Sequence, residues 1–520
     1  MSIVVGKTSK APDFPIAAKS ALKNNQLRRN VAHATNVIRN KRALRVEEMP
    51  DWEQLRQAGS DIKQHTLAHL DHYLLEFERN CELAGGKVHW ARDADEANKI
   101  AIELIQHYSG DQKDVEVIKV KTMTSDEVQM NHALEAAGIT PIETDLADMI
   151  VQLGNDEPSH IVVPALHKNR FEIRDIFRDK MGKPELTEQP EDLTAAARSY
   201  LRKRFLRTKI GISGANFAIA ETGTVCVVES EGNGRMCVTL PEVLITLVGI
   251  EKVIPTFADL EVFLQTLPRS ATGERMNPYN SLWTGVTPGD GPQAFHVILL
   301  DNGRTKLLHD ELERETLQCI RCGACLNACP VYRETGGHAY GSIYSGPIGA
   351  ILSPQLSSLE HSRSLPYAST LCGACYEVCP VKINIPEVLI HLRGEVVRED
   401  QKTLSGKLSP ENLAMQAAAA IFQNHRRYEA AQRLARIGQT LFERKGQLTN
   451  LPGMAGAWTR SRDLRPIPQQ SFRDWWKQRK PSTDSGTPQD PSTPTNPGAP
   501  DLSPLEIGDG TTSKSPGDPQ

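Results

Sequence analysis

Two rhythms of apolar and polar residues run along this chain, and they predict different architectures. Residues 1–80 read as helical. Residues 41–75 are rich in helix formers, and Leu67, Leu70 and Leu74 form an apolar stripe at helical spacing. His65, His69 and His72 fall at i, i+4 and i+7 on the flank of that stripe, a spacing shared by metal sites and by ordinary amphipathic helices. From about residue 85 short apolar runs alternate with helical patterns. Residues 87–91 and 115–120 read as strands. Residues 95–108 read as a helix, and 125–138 as another, opened by Ser125, Asp126 and Glu127 and closed by Gly138. Residues 160–164, 217–220, 225–228, 236–240 and 244–248 continue as strands. Strands interleaved with helices predict a largely parallel sheet covered on both faces.

The rhythm changes again near residue 305. No hairpin pattern marks residues 305–400. Asn384 and Pro386 open a helix with Ile385, Val388, Leu389, Leu392 and Val396 on one face. This region is expected to be α-helical. Residues 408–445 predict one or two further helices, with Leu413, Ala417, Ile421, Leu434 and Leu441 on apolar faces. Phe472, Trp475 and Trp476 form an aromatic group expected to dock back on the body. From about Pro481 the sequence is Pro, Ser, Thr, Gly and Asp without an apolar pattern, which predicts disorder over 481–520.

Seven cysteines lie inside the helical region in two repeated bursts. The first is Cys319, Cys322, Cys325 and Cys329, followed by Pro330; the second is Cys372, Cys375 and Cys379, followed by Pro380. The first burst has the spacing of a two-cluster bacterial ferredoxin, in which the cysteine before proline serves the other cluster. Cluster one is therefore expected on Cys319, Cys322, Cys325 and Cys379, and cluster two on Cys329, Cys372 and Cys375. Zinc sites favour four ligands in two pairs, which seven thiols with two Cys-Pro endings do not match. Ser369 stands where the second burst should begin. Cluster two is then a 3Fe–4S cluster, or a 4Fe–4S cluster completed by the serine oxygen, water, a partner's side chain or substrate; otherwise Ser369 is an ordinary loop residue.

At 520 residues the chain has room for two or three domains. A net charge of −4 with no dominant basic stretch gives no support for nucleic acid as a partner. The N-terminus lacks a signal-peptide core, and no run of about twenty apolar residues exists to span a membrane. The most apolar region, 238–257, is interrupted by Pro241, Glu242, Glu251 and Lys252. Together with reduced, cluster-type cysteines, this predicts the cytoplasm. Cys81, Cys226 and Cys237 are expected as small buried hydrophobes. Three loops rich in small residues, 211–216, 221–224 and 229–235, offer backbone N–H groups to an anion, and Arg235 and Arg269 are candidate partners for its charge. None matches a Walker or dinucleotide-binding fingerprint.

The segment Ser213-Gly-Ala-Asn-Phe-Ala-Ile-Ala-Glu-Thr-Gly-Thr224, the Cys319 burst, Tyr344-Ser-Gly-Pro-Ile-Gly-Ala350 and Leu371-Cys-Gly-Ala-Cys-Tyr-Glu-Val-Cys-Pro-Val-Lys-Ile383 occur in that order. In this the chain resembles the lactate utilization protein B (LutB) family over roughly residues 40–480. The resemblance implies an N-terminal helical segment (1–80), a LUD-like α/β domain of the NagB/RpiA/CoA-transferase type (81–300), an α-helical dicluster ferredoxin domain (305–400) and a LutB-type helical C-terminal domain (405–480). It implies two iron–sulfur clusters, both 4Fe–4S unless the second is 3Fe–4S. It further implies an electron-transfer subunit of an L-lactate-oxidising oxidoreductase that works with LutA-like and LutC-like partners. Catalytic residues are not carried over. The competing expectations are a subunit of a glycolate or glycerol 3-phosphate dehydrogenase, against which the LUD-like segment argues, and an iron–sulfur regulatory protein, for which no DNA-binding helix pair stands out.

Overall fold

The computed structural model describes residues 12–459, 462 and 464–478. The tail over 481–520 lies outside the described residues. The chain divides into two compact units, residues 1–407 and 408–520.

In the first unit the strands are, in chain order, β1 (Lys87–Ala91), β2 (Glu116–Lys119), β3 (Thr140–Glu143), β4 (Ile210–Gly214), β5 (Phe217–Ile219), β6 (Thr224–Glu229), β7 (Val243–Gly249), β8 (Val253–Ile254), β9 (Tyr279–Trp283) and β10 (Ala294–Leu300). Six of them form an all-parallel sheet in the order β1-β10-β7-β4-β2-β3. Sheets covered on both faces are built from nearly continuous apolar runs, and β7 and β10 read that way. A second sheet, β8-β5-β6-β9, stands against the helical region, where Phe217 stacks on Phe263 at 4.8 Å between ring centroids. Two glycines of β4 allow close approach. A Cβ on Gly211 would lie 2.4 Å from Cys237 O, and one on Gly214 would lie 2.2 Å from Thr122 Oγ1.

Several expected elements take another form. Residues 160–164 are a loop, because His160 Nδ1 accepts Val162 N and Val163 N, donors a strand would use for its ladder. Residues 236–239 belong to a helix, Asn233–Thr239, whose first N–H groups are held by the Glu229 carboxylate through Gly232, Gly234 and Arg235. The helix expected over 125–138 is two, Met123–Glu127 and Met130–Ala136, separated where Gln129 turns left-handed at φ 53°. The N-terminal helical reading holds as Asn25–Glu47, Trp52–Ala68 and Leu70–Leu83. The break at His69 takes the three histidines off a single helix, and His65 Nε2 pairs with Tyr73 OH at 2.9 Å. Cys81, Cys226 and Cys237 are fully buried.

From residue 304 to 407 the described elements are all helical. The helix Ile385–Lys402 buries Ile385, Val388, Leu389, Leu392 and Val396. In the second unit, the helices Pro410–Phe422 and His425–Gln439 pair with each other. Leu413, Leu434 and Leu441 are exposed there, because a few short helices and a short hairpin offer too little surface to cover every apolar face. The aromatic trio packs on itself within the helix Phe472–Gln478, and Arg473 ties that helix to Glu429 at 3.2 Å.

Candidate functional site

The two cysteine bursts fold into the same local shape. In the first, Arg321 and Gly323 flank Cys322 with φ of 61° and 72°; in the second, Leu371 and Gly373 flank Cys372 with φ of 55° and 83°. Left-handed conformations are costly for Arg and Leu, so their recurrence marks a loop wrapped tightly round its ligands. Backbone N–H groups point at the sulfurs. Arg321 N reaches Cys319 Sγ at 3.4 Å, Tyr332 N reaches Cys329 Sγ at 3.5 Å and Ile383 N reaches Cys379 Sγ at 3.4 Å. At the position matching Cys319, Leu371 N donates to Ser369 Oγ at 3.1 Å.

Cys319, Cys322, Cys325 and Cys379 line one cavity, walled also by Ile320, Ile348, Val381, Ile383 and Ile385. Cys329, Cys372 and Cys375 gather beside it. Burial, and then the neighbouring Cys329 and Cys372, push the Cys375 thiol up to about 12. Burial raises Cys379 to about 11, and Cys322 and Cys325 higher still. Buried thiols this close cannot ionise together without a cation among them. A thiol-only donor set with N–H groups aimed at sulfur fits iron–sulfur ligation. The first group is largely buried, whereas Cys372 is exposed.

The N-terminal helices hold this region in place. Arg56 Nε donates to Cys379 O at 2.8 Å and its Nη2 to Tyr376 O at 3.0 Å, while Arg42 Nη2 donates to Val378 O at 3.1 Å. On the sheet side, Arg321 Nη2 bonds Glu251 Oε1 at 3.1 Å, and the Arg321 guanidinium lies over the Tyr344 ring at 4.8 Å. Glu251 also pairs with Arg304, which makes two bonds of 2.9 Å to Glu127. Tyr344 OH closes the network on Glu127 at 2.6 Å. Although burial alone would raise the Glu251 carboxyl, Arg304, Arg321 and Lys252 bring it down to about 2.

A second cavity, of about 360 Å³, opens beyond the carboxyl ends of the parallel strands. Val120, Lys121 and Thr122 follow β2, Asp145 follows β3, Gly214 to Asn216 end β4, and Lys252 follows β7. The chain leaves β2 for β3 on one side and β4 for β7 on the other, so the cavity sits where the strand order reverses, the usual ligand position in open α/β sheets. Arg321 lines both this cavity and that of the cysteines. Most of its charged walls are engaged. Lys121 faces Asp148 at 3.4 Å, Glu231 accepts Leu146 N at 3.1 Å, and Asp145 caps the following helix. Burial pushes Asp145 and Asp148 up to about 6. Lys252 is 6 % exposed and has no hydrogen bond or ion pair with the described residues; burial, and then Arg321, push it down to about 7.

Of the three small-residue loops, 211–216 and 229–235 contribute to this cavity. Residues 221–224 instead make the β5–β6 turn, packed on Cys81 and held by Asn80 Nδ2 at Ala220 O and Glu221 O. The expected anion partners are elsewhere. Arg269 spends its guanidinium on Gln265 O and Arg275 O at 2.9 and 2.8 Å, and Arg235 is not on the wall. The cations that line the cavity, Lys121, Lys252 and Arg321, carry no motif of their own. Arg321 alone had a signal, its place inside the cysteine burst.

Three family models match in succession: the LUD domain over residues 74–300, the 4Fe-4S dicluster domain over 315–383 and the lactate utilisation protein B C-terminal region over 391–481. Proteins called lactate utilization protein B are 42 % identical to this chain in Bacillus licheniformis and in Bacillus subtilis, covering 90 % of it and 97 % of each relative. The Macrococcus caseolyticus protein of that name is also 42 % identical, over 92 % of this chain and 99 % of its own length. A crystal structure of a DUF162 family protein from Deinococcus radiodurans aligns over 44 % of this chain and 98 % of its own, at 16 % identity and a TM-score of 0.23, too low to inform the fold. No helix among the described residues is long and apolar enough to cross a membrane. By length, order of parts and identity, the chain belongs to the lactate utilization protein B family.

Proposed function

We propose that this protein is the iron–sulfur electron-transfer subunit of a complex that oxidises L-lactate to pyruvate, working with LutA-like and LutC-like subunits. The observation that carries the reading is the graded placement of the cysteines. One group is buried against the α/β domain, the other reaches the surface at Cys372, and the Cys329 and Cys379 loops interleave them. When bound, iron–sulfur clusters supply one-electron transfer, and two of them match the two electrons that lactate oxidation releases.

The protein's own residues do the rest. Cys319, Cys322, Cys325 and Cys379 would hold the first cluster and Cys329, Cys372 and Cys375 the second, with Ser369 the candidate for its remaining ligand. The N–H groups of Arg321, Tyr332 and Ile383 stabilise negative charge on the sulfurs, and the Arg321 cation does the same beside Cys319. Ile348, Val381 and Ile385 keep water from the first group. Exposure of Cys372, flanked by exposed Tyr367 and Tyr376, gives the second group its outlet to another protein.

The test is anaerobic reconstitution. With its partner subunits and L-lactate, the protein should show EPR signals of reduced clusters, and glycolate or glycerol 3-phosphate should not replace lactate. Reduction by glycerol 3-phosphate alone would overturn the substrate assignment, and purified protein free of iron and sulfide after reconstitution would overturn the electron-transfer role.

A further inference from the structure

The cavity at the strand-order reversal has a second feature that points to a ligand. Among the charged side chains on its wall, Lys121, Asp145, Glu229, Glu231 and Arg321 each have a partner from the protein. Lys252 does not. The residue is 6 % exposed, lines the cavity, and its side chain makes no hydrogen bond or close ion pair with the described residues. Glu251 balances the Lys252 charge, but it is already bonded to Arg304 and Arg321, so a buried Lys252 Nζ with no hydrogen bond of its own is costly and the cost falls when an anion enters beside it. Nearby Asn277, also on the wall, carries an amide oxygen without a hydrogen-bond partner among the described residues, the kind of acceptor a hydroxyl group requires.

The walls also limit the charge of the ligand. Asp145, Glu229 and Glu231 also line the space, so one amine without a direct bond among carboxylates suits a singly charged anion and disfavours a phosphate dianion. At about 360 Å³ the cavity is at the small end of ligand sites. Only Arg321 is common to its wall and to that of the Cys319, Cys322, Cys325 and Cys379 cavity. We propose that this cavity is a binding site for a small monocarboxylate, whose carboxylate pairs with Lys252 Nζ across the Arg321 wall from the first cysteine group. The choice of a 2-hydroxy acid within that class rests on the lactate-oxidation reading; the carboxylate and its position rest on Lys252.

The experiment uses the full-length, cluster-loaded protein and carbon-13-labelled L-lactate, with binding followed by NMR titration and the first cluster followed by EPR. Wild-type protein should bind lactate saturably at one site and show a changed EPR line shape on binding. Lys252→Met should weaken binding at least tenfold while iron content and the ligand-free spectrum stay as in wild type. Ala271→Phe, which fills the cavity without touching a charge, should do the same, so the proposal stays testable if the Lys252 variant does not fold. Absence of saturable binding to wild type, or equal binding by wild type and both variants, overturns the site. If the reconstituted complex oxidises lactate with an unchanged KM in both variants, the site falls and the lactate reading stands. If lactate binding depends on Lys252 but no partner complex oxidises lactate, the lactate reading falls and the site stands.

Discussion

Leu371 N donates to Ser369 Oγ at 3.1 Å just as Arg321 N donates to Cys319 Sγ at 3.4 Å, so a serine oxygen and a cysteine sulfur hold the same place in two loops of one design. Arg393 fixes the serine loop from behind, through bonds to Pro366 O at 2.9 Å and Ser369 O at 3.2 Å. The parallel makes Ser369 the candidate fourth ligand of the second cysteine group. Ser369→Cys is expected to keep about eight irons per chain, the content of two cubanes. Ser369→Ala is expected to lose about one iron and to show the EPR signal of an oxidised three-iron cluster. Full iron with an unchanged spectrum in the alanine variant would remove Ser369 from the ligand set.

The two cysteine groups should fail separately. Cys322 shares its cavity with Cys319, Cys325 and Cys379, and Cys375 neighbours Cys329 and Cys372. Cys322→Ser and Cys375→Ser should each lose roughly half the iron, and the EPR signal that survives in one should be the signal missing from the other. Loss of the same signal from both variants would show that the division of ligands is wrong.

Glu251 joins the cysteine region to the α/β domain, since it bonds Arg321 on one side and Arg304 on the other, all three nearly inaccessible. Removing one member of a buried ionic network leaves uncompensated charge and costs about 3–5 kcal/mol. Glu251→Gln should therefore lower the urea midpoint markedly at neutral pH. It should also raise the reduction potential of the first cluster, because the Arg321 cation beside Cys319 is no longer balanced. An unchanged midpoint and potential would mean that the network does not couple the two parts.

Much of this site could be read in the sequence. The cysteine spacing carries its own chemistry, and the apolar face of Ile385, Val388, Leu389, Leu392 and Val396 is the buried face observed. Strands buried on both sides, such as Val243–Gly249, announce themselves as apolar runs. Local side-chain bonds were harder to foresee. His160 takes the N–H groups of Val162 and Val163, and Glu229 takes those of Gly232, Gly234 and Arg235, which turns two apparent strands into a loop and a helix. Strand β4, with Gly at both 211 and 214, looks like a flexible loop until the partners that exclude a Cβ, Cys237 O and Thr122, are known. Lys252 was hidden for a related reason. Its neighbours in sequence are those of a strand end, and only the reversal of strand order places it in a cavity.

His160 gives the fold a pH dependence of known sign. Its Nδ1 accepts two backbone N–H groups, so the proton is on Nε2, which donates to Asn327 Oδ1 at 3.2 Å. Burial pushes this imidazole down to about 4 from the ordinary value of 6.5. Between those values the unfolded chain binds the proton and the folded protein does not, so stability is complete above pH 6.5 and falls as the pH drops towards 4. At about 1.4 kcal/mol per pH unit, the loss between pH 7 and 5 is about 2 kcal/mol. His160→Asn keeps the acceptor for Val162 and Val163 and removes the titration. The variant should be about 1 kcal/mol less stable at pH 7.5, and its urea midpoints should fall less steeply with acid, so that the two curves cross near about pH 6 and the variant is the more stable at about pH 5. Parallel curves would show that His160 is already charged in the folded protein or titrates at its ordinary value.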